Sequence, residues 1–194
     1  MNLIGTKELD TKRLLLRRIK DTDYHDAFIN WCSNDNVCRY TLWDKHKDES
    51  VTKRLYEMWA KEYEYPDTFR WIVELKETHE IIGTIDVASK HFIKFGAVEL
   101  GYCYGEKFWG KGYATEALKR VIKYLFDEVE MDVLYADYME RNPNSGKVMK
   151  KSGMIYEGVS RARVLDHDGI RNNLMSYSIT KEDYLNNKEF YQDI

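Results

Sequence analysis

The residues best suited to chemistry lie in one short stretch, Gly105-Glu106-Lys107-Phe108-Trp109-Gly110-Lys111-Gly112-Tyr113-Ala114-Thr115. Val98–Tyr104 before it alternates: Val98, Leu100, Tyr102 and Tyr104 face one way, Glu99, Gly101 and Cys103 the other. After it Ala114, Ala117, Leu118, Val121, Ile122, Leu125 and Phe126 recur at helical spacing. The stretch therefore joins a strand to a helix. Glycines at such a junction leave backbone N–H groups at the positive helix end and admit an anion without a Cβ clash. Phosphate binding is the chemistry this predicts, and a ligand-free strand–helix turn is the alternative.

Two common phosphate motifs almost fit and fail. Gly105-x4-Gly110-Lys111 copies most of a Walker A loop, but Gly112 stands where a magnesium-holding Ser or Thr is needed. Gly110-x-Gly112 opens a dinucleotide fingerprint, but Thr115 occupies the place of its third glycine. A different pattern does fit. Lys107-Phe108-Trp109-Gly110-Lys111-Gly112, followed by Tyr113-Ala114-Thr115-Glu116-Ala117, resembles the Q/R-x-x-G-x-G/A coenzyme A loop of the GNAT acetyltransferases. Lys107 departs at the first position, keeping the charge but not the planar fork.

The likeness runs along most of the chain and in the family's order. Thr11-Lys12-Arg13-Leu14-Leu15-Leu16-Arg17 resembles the opening strand of the branch that holds the ribosomal-protein N-terminal acetyltransferases. Glu99-Leu100-Gly101-Tyr102 resembles its fourth strand. Arg141-Asn142-Pro143-Asn144-Ser145 with Lys151-Ser152-Gly153-Met154 resembles its N-x-x-S…L-G-F element. Glu157-Gly158 and Tyr177-Ser178-Ile179 resemble its closing strands.

The resemblance implies an α/β fold whose mixed, mostly antiparallel sheet is flanked by helices and splays between the fourth and fifth strands. It implies acetyl-coenzyme A as co-substrate, with no metal, and direct acetyl transfer to a primary amine. The backbone of Leu100, Gly101, Tyr102, Cys103 and Tyr104 would pair with the pantetheine, and the Gly110–Ala114 amides would take the pyrophosphate. Lys107, Trp109, Lys111, Thr115 and Asn142 complete the expected cofactor contacts. Glu99 is the candidate base, with a surface carboxylate as the alternative and Asp86 as competitor. Many members carry a proton-donating tyrosine on the helix after the fifth strand, but Asn144–Met149 has none. Ser145 would serve the leaving thiol there, or else cap the helix start. The acceptor is an amine-bearing small molecule, or a peptide or protein N-terminus by branch resemblance, and a homodimer is common in the family.

The elements that must position these groups are legible by pattern. A first strand falls at about residues 11–19, and Asp21-Thr22-Asp23 offers N-caps to a helix carrying Tyr24, Ala27, Phe28 and Trp31. Trp43 and Asp44 follow it and would shape the acceptor mouth. A helix over Glu49–Tyr63 turns Leu55, Met58 and Trp59 inward. Phe69–Leu75 and Ile81–Val87 form a hairpin about Lys76–Glu80. Val133–Tyr138 is a strand, Asn144–Ser152 a helix closed by Gly153, and Lys181 starts a terminal helix. Met154–Leu165 and Ile170–Ile179 pair through the turn Asp166-His167-Asp168-Gly169.

Composition narrows the classes. The 194 residues carry a formal net charge of −3, 43% hydrophobic and 32% charged residues, with 2 prolines and 11 glycines. This predicts one soluble domain over 1–194 and no basic field for nucleic acid. Cys32, Cys38 and Cys103 form no C-x-x-C pair, which predicts free thiols, a reducing cytoplasm and no metal. No apolar run reaches membrane-spanning length, so no membrane partner is expected. Two rival functions remain: a degenerate acyl-coenzyme A binding protein acting as a sensor, and a P-loop phosphotransferase.

Overall fold

A computed structural model describes the whole chain, Met1–Ile194. It divides into two compact units, one of Leu3–Asp86 with Tyr102–Tyr113, the other of Met1–Asn2, Val87–Gly101 and Ala114–Ile194. No helix is long and apolar enough to cross a membrane.

The first unit contains β1 (Leu9–Asp10), β2 (Leu14–Arg17), β3 (Arg70–Leu75) and most of β4 (Ile81–Ser89), ordered β1-β2-β3-β4 and antiparallel throughout. Leu14 and Leu16 are buried while Leu15 and Arg17 are half-buried, the alternation expected of a strand with one covered face. Gly83 on β4 admits the close approach of residues 103 and 104. A Cβ there would stand 2.3 Å from the Cys103 carbonyl oxygen.

The helical part of this unit is less regular than its spacing suggests. Asp21–Asp23 is a 3₁₀ turn, α1 covers only Tyr24–Ala27, and Phe28–Cys32 widens so that Ser33 N–H donates to Phe28 O (3.1 Å). Asp21, Thr22 and Asp23 do not cap from in front. Asp23 reaches back to the Lys20 N–H (2.8 Å), because its carboxylate is drawn inward by Arg17 (2.8 and 3.0 Å). Arg17 also donates to Glu74 (2.8 Å), closing a part-buried cluster of one cation and two anions.

After α2 (Asp35–Cys38) comes α3 (Glu49–Glu62), started by Asp48, whose side chain accepts from the Ser50 N–H (2.9 Å). Thr52 and Tyr56 are its buried residues, and Leu55, Trp59 and Tyr63 pack beside them on a core holding Trp31, Ile72 and Ile81. Met58 points outward at 50% exposure, which corrects its expected place on the apolar face. The i, i+4, i+7 row Thr52–Tyr56–Trp59 is the one that faces inward.

The second unit orders its strands β5-β6-β8-β7, with most of β5 (Ala97–Tyr104), β6 (Val133–Met139), β7 (Ile155–Leu165) and β8 (Arg171–Thr180). β5 and β6 run parallel, while β6–β8 and β7–β8 are antiparallel, so the pairing is mixed. Because of the two-residue β1, the expected fourth and fifth strands are β5 and β6. Helix α4 (Tyr113–Asp127) buries Ala117, Leu118, Val121, Ile122, Tyr124, Leu125 and Phe126. Each of the Leu, Ile, Val and Phe side chains among them contributes about 1.5–3 kcal/mol when fully buried. α5 (Pro143–Lys151) ends at Gly153, whose φ of +88° and contact with the Tyr191 hydroxyl leave no place for a Cβ. The β7–β8 turn is tied by Asp166, which accepts from the Asp168 and Ile170 N–H groups (3.1 and 2.8 Å). α6 (Lys181–Asn186) starts with a Thr180–Asp183 capping box.

Candidate active site

The predicted phosphate loop is built as an anion cradle. Phe108 and Trp109 use their N–H groups inside the turn, on Gly105 O (3.0 Å) and Glu106 O (3.1 Å). The N–H groups of Gly110, Lys111 and Gly112 find no acceptor in the protein. Gly110 and Gly112 take φ of +74° and +82°, a left-handed conformation that L side chains resist and that turns consecutive amides outward. A Cβ on Gly110 would meet nothing within 4 Å. The residues present therefore fit a diphosphate: amides awaiting an acceptor, space above them and the start of α4 behind them.

The side chains around the loop divide their work. Lys107 is committed to an ion pair with Glu80 and lies 4.8 Å over the Phe108 ring. Trp109 is 44% exposed, yet its Nε1–H donates to Tyr104 O (2.8 Å), fixing the ring at the loop mouth. Lys111 and Gly112 are exposed; Tyr113, Ala114 and Thr115 are half-buried. Arg13, which no pattern of spacing places here, donates through Nη1 to Lys111 O (3.0 Å) and lies 4.5 Å over the Tyr113 ring. No local signal could find a contact spanning 98 positions.

The β5–β6 ladder supplies a gap. Its parallel pairs are Ala97↔Val133, Val98↔Leu134 and Glu99↔Tyr135, and it ends there although both strands continue. Leu100 and Gly101 on one side and Ala136–Met139 on the other are thus left out of that ladder, as a splayed pair requires. Glu99 stands at the last pair. Its half-buried carboxylate faces Tyr135, whose hydroxyl pKa is pushed up by burial and then by the Glu99 charge. Tyr102 and Cys103 are half-buried and Tyr104 buried. Burial also pushes the Cys103 thiol up, so it stays protonated and is no nucleophile. The competing carboxylate, Asp86, accepts from Arg70 Nε (3.1 Å), and Arg70 in turn holds Glu62 (2.6 Å). Burial raises the Asp86 pKa against the pull of Arg70.

The start of α5 brings the remaining candidates together. Asn142 occupies the N-cap position, Pro143 opens the helix, and Ser145 is its third residue. Ser145 is therefore not the cap. Its Oγ instead accepts from Asn142 Nδ2 (3.0 Å), and its N–H donates to Asn142 O (3.2 Å). The next residue, Gly146, is a glycine because a Cβ would stand 2.5 Å from the Tyr138 hydroxyl. Tyr138 packs against the start of the helix from outside it. It comes from β6, on the face shared with buried Leu134 and Ala136, and fits against the first turn of α5. Burial, then Tyr177 and Tyr156, raise its pKa.

The acetyltransferase (GNAT) domain model matches residues 13–155. The chain belongs to the GNAT acetyltransferase family. Among curated relatives, an uncharacterized N-acetyltransferase, YoaA, of Bacillus subtilis is 31% identical over 176 residues, covering 89% of this chain and 96% of its own. The ribosomal protein uS5-alanine N-acetyltransferase of Escherichia coli is 26% identical over 162 residues, covering 81% and 82%. The ribosomal-protein-S5-alanine acetyltransferase structure from Vibrio fischeri superposes with a TM-score of 0.80 at 21% identity, over 92% of this chain and 98% of that one. The mixed sheet flanked by helices is the GNAT fold, and the protein is an acetyl-coenzyme A dependent N-acetyltransferase. Acetyl-coenzyme A is the co-substrate of this family.

Proposed function

We propose that this GNAT enzyme acetylates the amine of a peptide or protein N-terminus, with Glu99 as base and Ser145 as hydrogen-bond donor to the departing thiol. The observation that carries the reading is the ladder that stops at Glu99↔Tyr135, with the first turn of α5 following β6. A parallel pair that opens just past a carboxylate offers backbone to an extended ligand and a base beside it. Acetyl-coenzyme A supplies an activated acyl group, and the chain's own residues do the rest. The Gly110–Ala114 amides, with Trp109, Lys111, Tyr113 and Thr115 around them, hold the diphosphate. The backbone of Leu100, Gly101, Tyr102, Cys103 and Tyr104 pairs with the pantetheine, and Asn142 steadies its thiol end. Glu99 takes a proton from the incoming ammonium, directly or through water. Ser145 donates to the sulfur, which leaves as a thiolate stable enough to need no stronger acid.

The N-terminal amine is favoured among acceptors by the relative that acetylates uS5 alanine. The test is release of free thiol from acetyl-coenzyme A across a panel of N-terminal peptides, polyamines, amino acids and aminoglycosides. Turnover confined to peptides with a free α-amine supports the reading. Turnover only with polyamines or aminoglycosides removes it.

A further inference from the structure

The β7–β8 ladder is interrupted in its middle. Ser160 stands opposite Leu174 and Val164 opposite Asn172, so Arg161, Ala162 and Arg163 together face Asn173 alone. We propose that this bulge presents Arg161 and Arg163 as a subsite for carboxylates near the amine of the acceptor, so that the enzyme prefers peptides with acidic residues close to the N-terminus. The inference rests on the N-terminal peptide reading and deepens it by naming the class of peptide.

Three observations carry it. The bulge is held rigidly. Ala162 takes a φ of +51°; the other non-glycine residues with positive φ, His79 and Glu130, lie outside the strands. A residue with a Cβ resists this conformation and keeps it only where its neighbours over-determine it. Here the Ala162 N–H donates to Asn173 Oδ1 (2.9 Å), and the Ala162 carbonyl accepts from Arg171 Nη1 (3.1 Å). The bulge is also tied to the segment that leads into the site. Asn173 Nδ2 donates to Glu140 (2.9 Å), and the Glu140 N–H donates to Asn173 O (3.0 Å). Two residues further on, Asn142 stands at the N-cap of the helix that carries Ser145. Finally, the charges are sorted. Glu140 is engaged by Asn173, and Asp166 by Arg141 (3.5 Å), Asn172 (2.8 Å) and the turn amides. Arg161 and Arg163 are exposed and have no hydrogen-bond, ion-pair or ring partner in the protein. A bulge re-aims the side chains it carries, and a guanidinium takes a carboxylate through two parallel hydrogen bonds. β7 is the outermost strand beside β8, so an extended chain has room to pass both arginines.

The test compares acetylation of three peptides of equal length that share an N-terminal alanine and differ in the residues after it: Asp and Glu, Asn and Gln, or Lys and Lys. The unaltered protein should favour the acidic peptide through KM, and added salt should erode the preference. Arg161→Gln with Arg163→Gln should raise KM for the acidic peptide about tenfold, the combined effect of two exposed ion pairs. Its kcat and its KM for the neutral peptide should stay as they were. Arg161→Glu with Arg163→Glu should turn the preference towards the basic peptide. Equal KM for all three peptides, or an equal loss for all three in the glutamine variant, overturns the inference. If the arginines only guard the sheet edge, the glutamine variant self-associates in light scattering while peptide preference stays intact, and that overturns it as well. Arginine-dependent retention of RNA without discrimination among the peptides makes the patch a nucleic-acid contact and overturns it too. Should the N-terminal peptide reading itself fail, no peptide of any charge is turned over, and the inference falls by a result distinct from all of these.

Discussion

Replacing Gly146 with alanine tests whether the Tyr138–α5 contact sets the geometry of the first turn of α5, where the proposed thiol donor Ser145 lies. The added methyl would stand 2.5 Å from Cζ and from the hydroxyl oxygen of Tyr138, and 2.7 Å from Cε1. Carbon atoms rest at about 3.5–4.0 Å, so roughly 1 Å of overlap must be relieved. The Tyr138 ring has Tyr177 as a neighbour at 6.1 Å, so part of the displacement should pass to α5. Overpacking of this kind costs about 1–3 kcal/mol, which in a chain of this length lowers Tm by about 2–4 °C per kcal/mol. Ser145 and Asn142 lie in the same first turn of α5 and would move with it. A misplacement of about 1 Å can reduce turnover about a hundredfold. Gly146→Ala should therefore lower both Tm and kcat while weakening the affinity for acetyl-coenzyme A far less than turnover, because the loop at Gly110–Gly112 is untouched. Tyr138→Leu in the same chain should return part of the lost stability. Thermal unfolding by circular dichroism and thiol release on one preparation measure both. A Gly146→Ala protein with unaltered Tm and kcat would refute the reasoning.

Glu99→Gln should lower kcat/KM about 10²–10⁴-fold at neutral pH, and the deficit should shrink in alkaline buffer, where more of the acceptor amine is already deprotonated; equal rates for mutant and parent at pH 7 would return Glu99 to the surface. Ser145→Ala should reduce kcat about tenfold, about 1.4 kcal/mol in barrier, with little change in Tm, since Ser145 is not the helix cap; a fall in Tm with intact turnover would reverse that assignment. Acid unfolding should report the Arg17 cluster. Burial works to raise the Glu74 carboxyl, but hydrogen bonds from Arg17 and His79 outweigh it and hold its pKa below the ordinary value. A depressed folded-state pKa gives stability that is full above the unfolded value, near 4.3, and is lost as pH falls through the folded one. Arg17→Met, which strands two part-buried carboxylates, should cost about 3–5 kcal/mol at pH 7 and flatten the acid limb; an acid transition identical to that of the parent would exclude the cluster as its source.

Most of the scaffold was readable because it is periodic. The row from Ala117 to Phe126 on α4, the alternation along β5 and the Asp166–Gly169 turn announce themselves by spacing and turn chemistry. The turn at the candidate loop was readable too, since its two left-handed positions must be glycines. What stayed hidden depended on side-chain contacts that no periodic pattern encodes. The Arg13 bond to Lys111, the Tyr138 ring over Gly146 and the pairing of Lys107 with Glu80 have no local signature. The irregular winding from Asp21 to Cys32 was hidden for a similar reason: Asp23 looks like a cap, but Arg17 and the Lys20 amide decide where its carboxylate goes. Met58 was misjudged because one helical row looked as apolar as the next until Tyr56 filled the core.

The protonation of the three cysteines decides how cleanly this enzyme can be watched. Burial raises Cys32 to about 12 and Cys38 to about 11, and lifts Cys103 well above its usual value. At pH 8 the thiolate fractions of Cys32 and Cys38 are then about one in ten thousand and one in a thousand, against roughly a quarter for an ordinary exposed cysteine. A disulfide reagent added to a working reaction should therefore titrate the coenzyme A that catalysis sets free long before it reaches the protein. Colour that develops without acceptor would signal hydrolysis of the thioester or an unfolded fraction of the enzyme. The same buried thiols thus serve as a built-in integrity gauge, silent while the chain is folded and counted in full once denaturant is added.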